Sequence, residues 1–378
     1  MGCATSAAAK PEQKVVKQRR RLSVGNVDLR EVEEAEDHST EDDRGLIAQF
    51  SQQNLLDLME KDGTKTGSGR RLSSLGSTTD QNATSFANKS MQQLGDELNA
   101  SKHGIGYTCR KGLKPESPNQ DSWCMLKTEN FSIYGVFDGH GQKGHDISNF
   151  VKDVIPKLVV KDPRSAKAEW SAILMDTFKK AQSMVNTSDK MKQLNAQMSG
   201  TTATVAIHDH ASNKFTIAHV ADSTAVLGTK TGSQWKGVAL TRDHKPNLKD
   251  EKARIEKAGG RVVFDGYANH RVYAKSARYP GLNMSRCLGD LLGHQDCGIS
   301  CEPEVMSFDI DTGKEQILPG AGIEFSWRFG QQPGYPGLNM SRCLGDLLGH
   351  QEAWDRWIRE EGGAVVDDIT VILVYLNH

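Results

Sequence analysis

The sequence predicts an α+β fold in which short strands pair antiparallel and helices cover a sheet. β-like runs follow one another at Thr202 to Ile207, Phe215 to Val220 and Ala225 to Leu227, separated only by turn-length gaps. Those gaps, His210-Ala211-Ser212-Asn213 and Asp222-Ser223, are too short for a parallel crossover and so imply hairpins. Two stretches carry apolar residues on one helical face: Ile147, Phe150, Val151, Val154, Ile155 and Leu158, then Trp170, Ile173, Leu174, Phe178, Ala181 and Val185.

Residues 1–95 are rich in Ser, Thr, Gln, Lys and Glu and poor in aromatics, which predicts a disordered regulatory arm that buries no core. Within it, Ile47, Phe50, Leu55, Leu56, Leu58 and Met59 suit one loosely amphipathic helix that docks rather than joins the core. The start Met1-Gly2-Cys3-Ala4-Thr5-Ser6 matches the N-myristoylation pattern on Gly2, with Cys3 open to a second acyl chain. One chain anchors weakly, so the basic run Lys14, Lys17, Arg19, Arg20 and Arg21 is expected to add attraction to an anionic membrane surface. Ser23 and Ser73 each follow Arg-Arg-Leu and fit basophilic kinases.

The domain proper is expected over 103–378. Ile133, Tyr134, Val136 and Phe137 form a buried-strand pattern that ends abruptly in Asp138-Gly139-His140-Gly141, where glycines allow a sharp turn. A carboxylate, a peptide carbonyl and an imidazole are thereby offered to one small volume. Gly139 to Gly144 also spells GxGxxG after a strand, but Asp138 puts negative charge where a pyrophosphate must sit, and no second strand ends in a suitably spaced acid. A charged helix from about Leu248 to Ala258 stops at Gly259-Gly260, another around Trp354 and Trp357 stops at Gly362-Gly363, and Ile369 to Leu376 closes the sheet.

The chain has 378 residues, 37% hydrophobic and 25% charged, with net charge −1. Near-neutrality argues against nucleic acid as the main partner. Seven cysteines without CxxC pairing and no apolar signal core suit a reduced cytoplasmic setting, and Ile369 to Leu376 is too short to span a bilayer. Tyr279 to Gln295 and Tyr335 to Gln351 are identical over 17 residues, YPGLNMSRCLGDLLGHQ. Two such copies cannot share one structural slot, so 317–351 is anomalous, a duplication or a gene-model artefact.

Acids recur beside glycines or at strand ends: Asp121, Asp138, Asp222, Asp243, Asp290, and Asp367 with Asp368. A carboxylate-rich, cysteine-free set suits Mg²⁺ or Mn²⁺ better than zinc. The order PESPNQDSW, VFDGHG, SGTTAT, LTRDHKP, LNMSRCLGD with EPEV, and DDITVILV resembles the metal-dependent protein serine/threonine phosphatases of type 2C, over residues 103 to about 310 and about 350 to 377.

The resemblance implies two stacked antiparallel β-sheets flanked by helices, an α-β-β-α sandwich with two metal ions at one edge and a weaker third. It implies hydrolysis of phosphoserine and phosphothreonine in proteins by water activated between the metals, on a monomer. Asp138 would bridge both ions, Gly139 lend its carbonyl, Asp367 bind one ion and Asp121 orient metal-bound water. Asp222 matches the acid linked to the third metal, His140 is the general acid, and Arg110 is the phosphate-binding arginine. One family element is missing. Where an apolar strand should end in Ser-Asp-Gly, residues 316–325 read QILPGAGIEF, with Ala321 in the ligand's place and Pro319 in a central strand. Thr224 likewise replaces an arginine. The alternative is therefore a non-catalytic, phosphatase-like protein that binds phosphoproteins or places a partner at a membrane.

Overall fold

The computed structural model describes residues 41–60, 72–79, 89–98, 101–112, 118–232, 234–311, 313–314, 316–321 and 368–376. Two antiparallel sheets and a helical layer organise them. The larger sheet runs in the order β16 (Glu304–Asp309), β9 (Lys214–Val220), β8 (Ala203–Asp209), β5 (Phe131–Phe137), β4 (Ser122–Lys127), β1 (Ser73–Thr78) and β2 (Ser90–Gly95). The smaller runs β11 (Gln234–Ala239), β10 (Thr224–Thr231), β17 (Gln316–Ala321), β18 (Ile369–Tyr375) and β3 (Ile105–Arg110).

Strand alternation builds two cores. On β4, β5 and β8, Cys124, Leu126, Ile133, Phe137, Val205 and Ile207 face helices α3 (Gly144–Lys161) and α4 (Trp170–Lys190). The intervening Trp123, Met125, Tyr134, Val136 and Ala206 instead join Leu318, Ile372 and Val374 between the sheets. Both amphipathic helices and the consecutive hairpins lie where the apolar pattern predicts them.

The expectation of a disordered arm through residue 95 fails for residues 41–60, 72–79 and 89–95. Helices α1 (Glu41–Gln52) and α2 (Leu55–Glu60) bury Ile47, Phe50, Leu55 and Leu58 in the helix-side core, and β1 and β2 extend the larger sheet. Composition hides this because the sparse apolar residues fall on one face, while polar ones are satisfied locally. Buried Asp43 shows the same, taking Lys180 at 2.8 Å. Residues 1–40, with Gly2, Cys3, the basic run and Ser23, lie outside the described residues. Ser73 opens β1, half-buried and paired with Gly95 and Lys127.

Pro319 does sit in a central strand. Toward β18 the register is continuous, Pro319 opposite Leu373, but toward β10 it skips Leu318 and Pro319. The missing N–H is thus accommodated on one side only.

Two smaller sheets complete the fold. One pairs β12 (Gly260–Phe264), β13 (His270–Ala274) and β14 (Pro280–Leu282); the other pairs β6 (Gly139–His140), β7 (Gly200–Thr201) and β15 (Leu288–Gly289). Helices α5 (Lys249–Lys257) and α6 (Leu291–Cys297) pack on the first, and α3 and α4 on the second. The first repeat copy runs through β14, β15 and the start of α6; the second lies outside the described residues. Among the described residues, no helix is long and apolar enough to cross a membrane.

Candidate active site

Register gathers the acids along one edge of both sheets. Ser122 pairs with Phe137, so the next step along the ladder sets Asp121 across from Asp138. On the smaller sheet, Thr224 pairs with Ala321 and Arg110 with Ile369, which brings Asp222, Ala321, Arg110 and Asp368 to strand ends as well. Asp368 ties the sheets together there, accepting the N–H of Gly112 at 2.8 Å and of Gln120 at 2.7 Å. A second tie joins Thr202 Oγ1 to Ser223 Oγ at 2.5 Å.

Asp138 has a locked backbone. Its N–H donates to Thr202 Oγ1 at 2.9 Å, and its carbonyl accepts the Thr202 N–H at 2.9 Å and Thr201 Oγ1 at 3.1 Å. Gly139 follows because nothing larger fits: a Cβ there would lie 2.4 Å from the Gly144 oxygen and 2.5 Å from the Gln120 oxygen. Asp121 is buried, 1% exposed, and its N–H donates to Asn119 Oδ1. Asp222 pairs with Lys245 at 2.6 Å.

His140 is drawn to a residue that the expected ligand and catalytic set omits. Its Nε2 lies 2.5 Å from Asp290 Oδ2, and Asp290 is 1% exposed. Glycine makes the approach possible, since a Cβ on Gly200, which pairs with His140, would sit 2.2 Å from that same oxygen. Burial would depress the imidazole, but the Asp290 charge and hydrogen bond, with Asp138 and Asp222 behind them, outweigh it and raise His140. Asp290 closes the LNMSRCLGD motif, so its acid was visible in the sequence, whereas its partner was not. It belongs to the first repeat copy, whose Arg286 is anchored on buried Glu251 at 2.6 Å.

Lys89, from the arm, is a second unforeseen member. Its Nζ donates to Ser122 Oγ at 3.0 Å, next to Asp121, and burial, opposed by Cys109, Asp121 and Asp368, lowers it to about 8. The thiols look unsuited to nucleophilic work. Burial pushes Cys109 and Cys124 up to about 12 and raises Cys287 beside Asp290.

The donors along this edge, the carboxylates of Asp121 and Asp138 and the Gly139 carbonyl, are all hard oxygens, which fits Mg²⁺ or Mn²⁺. Asp367 lies outside the described residues. Ala321 ends β17 opposite Thr224 and brings no side-chain oxygen to that strand end.

Comparison with known proteins agrees with this architecture. The family model for protein phosphatase 2C matches residues 117–318. "Probable protein phosphatase 2C 65" of Arabidopsis thaliana is 30% identical over 305 residues, covering 74% of this chain and 78% of the relative. "Probable protein phosphatase 2C 35" of the same plant is 28% identical over 308 residues, covering 71% and 82%. Among solved structures, a serine-threonine phosphatase 2C from Toxoplasma gondii superposes with TM-score 0.59 at 17% identity, covering 72% of this chain and 94% of its own. At that identity the likeness speaks to the fold.

Proposed function

The chain belongs to the protein phosphatase 2C family, and from that premise we propose that it hydrolyses phosphoserine and phosphothreonine in proteins with Mg²⁺ or Mn²⁺ as cofactor. The observation that carries this reading is the 2.5 Å contact between His140 and Asp290 beside Asp138, a proton donor set against a carboxylate edge.

Asp138 and the Gly139 carbonyl would hold two ions whose bound water Asp121 orients, with Asp367 a further ligand and Asp222 linked to a weaker third. Such ions supply an activated water and neutralise the phosphoryl charge. His140 donates its Nδ1 proton to the departing serine or threonine oxygen, while Asp290, bonded to Nε2, keeps the imidazole protonated and aimed. Arg110, at the end of β3, holds the phosphate oxygens through its planar fork. Buried, raised thiols support a mechanism without a cysteine nucleophile.

Ala321 favours a second reading, an impaired or non-catalytic protein that binds phosphoproteins. With one ligand acid missing, the chain as written is expected to be slow. Acylation of Gly2 and Cys3 with the basic run would hold it at a membrane surface, and a phosphate on Ser23 would weaken that attraction. Phosphate release from a phosphoserine peptide decides between the readings. Replacing 317–351 with a strand ending in Ser-Asp-Gly should raise the rate at least tenfold, about 1.4 kcal/mol. An unaltered chain already as fast as the repaired one removes the impairment, and a repaired chain that stays inactive favours the binding protein.

A further inference from the structure

Away from the carboxylate edge, His219 on β9, His244 in the connection between β11 and α5, and Glu304 on β16 each place one ligand atom within 4.8 Å of the others. We propose that these three side chains form a second metal site, for a borderline divalent transition ion of the zinc type rather than for Mg²⁺ or Mn²⁺.

The strongest sign is His244. Its side chain is 0% exposed, and among the described residues neither ring nitrogen has a hydrogen-bond partner. A buried imidazole left so costs on the order of 1–3 kcal/mol unless something supplies a partner. Its backbone, by contrast, is fully held: the N–H donates to the Ala221 carbonyl at 2.9 Å, and the carbonyl accepts the Ser285 N–H at 2.8 Å and the Ser285 hydroxyl at 2.9 Å. The ring is therefore pinned where its nitrogens find no protein group to bond.

His219 shows the complementary feature. Its Nε2–H donates to the Arg242 carbonyl at 3.0 Å, which fixes the tautomer and leaves the lone pair on Nδ1, itself without a partner. A second-shell carbonyl of this kind commonly orients a metal-binding histidine. Burial lowers both imidazoles, so both are neutral donors near pH 7.

Glu304 supplies the charge. Its Oε1 is 3.5 Å from His244 Nε2, close to the edge of about 3.4 Å expected between ligands of a tetrahedral zinc ion. Arg242 hydrogen-bonds Glu304 Oε1 and Arg286 lies 3.6 Å from it, but each guanidinium has a second carboxylate, Arg242 in Asp250 at 2.9 Å and Arg286 in Glu251 at 2.6 Å. Glu304 can turn to a cation without stranding either guanidinium. The two rings stack at 14° with centroids 4.6 Å apart, so a shared ion requires the rings to turn about χ2, a soft torsion for histidine. Two nitrogens and one carboxylate leave a fourth position for water, as in three-ligand zinc centres. Occupancy would clamp the connection that carries Lys245, the partner of Asp222.

Zinc titration of the full chain by calorimetry, in excess Mg²⁺ and in an Asp138→Asn background that weakens the carboxylate edge, tests the site. One equivalent of Zn²⁺ should bind and raise the melting temperature. His219→Asn and Glu304→Gln should each weaken binding at least tenfold and abolish that rise, with the metal-free melt confirming that the variant is folded. Co²⁺ in the unmutated chain should give the intense visible absorption of a tetrahedral ion, which keeps the test independent of variant folding. No zinc binding in the Asp138→Asn background, equal affinity in both folded variants, or only the weak absorption of six-coordinate Co²⁺ would overturn the proposal.

Discussion

His140 and His244 are the same side chain in two regions that drive it in opposite directions. Burial opposes charge on both. At His140 the Asp290 carboxylate, 2.5 Å away and paired with no Lys or Arg among the described residues, outweighs burial and raises the imidazole. At His244 burial comes first, His219 and Arg286 add to it, and Glu304 at 3.5 Å, already drawn to Arg242, cannot compensate, so the ring falls to about 3. One environment favours the protonated ring; the other favours the neutral one. What separates them is whether the neighbouring carboxylate is already engaged by arginine.

The largest effect should come from removing the carboxylate on which the first region depends. Asp138→Asn should lower phosphoserine-peptide hydrolysis at least a thousandfold, about 4 kcal/mol, while the melting temperature changes little. Turnover within tenfold of the parent would break the link between that edge and catalysis.

The next largest should come from Glu251, which holds Arg286 at 2.6 Å and Arg254 at 2.8 Å. Burial raises this carboxyl, but hydrogen bonds from Arg286, Ser285 and Arg254 outweigh it and hold it at about 2 against 4.5 unfolded. The stabilisation is present in full above pH 4.5 and is lost as pH falls towards 2. Glu251→Gln should cost about 3 kcal/mol in urea unfolding at pH 7, because it removes the buried carboxylate that holds the half-buried Arg286 and Arg254. The gap to the parent should shrink on acidification, and a gap that widened instead would refute the sign.

Asp290→Asn should abolish the asymmetry itself. Without that charge His140 becomes less basic, so the rate should fall about thirtyfold, some 2 kcal/mol, and the alkaline limb of the pH–rate profile should move to lower pH. A purely structural role for Asp290 would lower the rate without moving that limb.

Much of this was legible in the sequence, for identifiable reasons. Alternation along Ile133 to Phe137 and the helical faces at 147–158 and 170–185 are repeated apolar signals, and they specify the two cores directly. Asp138 and Gly139 were legible because a sharp turn after a buried strand demands glycine. The arm was not, because four buried residues, Ile47, Phe50, Leu55 and Leu58, are too few to shift its composition yet enough to seat two helices. Nor were the pairings His140 with Asp290 and His219 with His244, separated by 150 and 25 residues, since only sheet register brings them together.

The central claim is that catalysis belongs to a metal held on oxygen donors and not to a thiol. Phosphate release from a phosphoserine peptide should be measured on the Ser-Asp-Gly-repaired chain after chelation, after add-back of Mg²⁺ or Mn²⁺, and after cysteine alkylation. The account predicts loss on chelation, recovery with either ion, and persistence through alkylation. Activity that survives chelation and disappears on alkylation would contradict it.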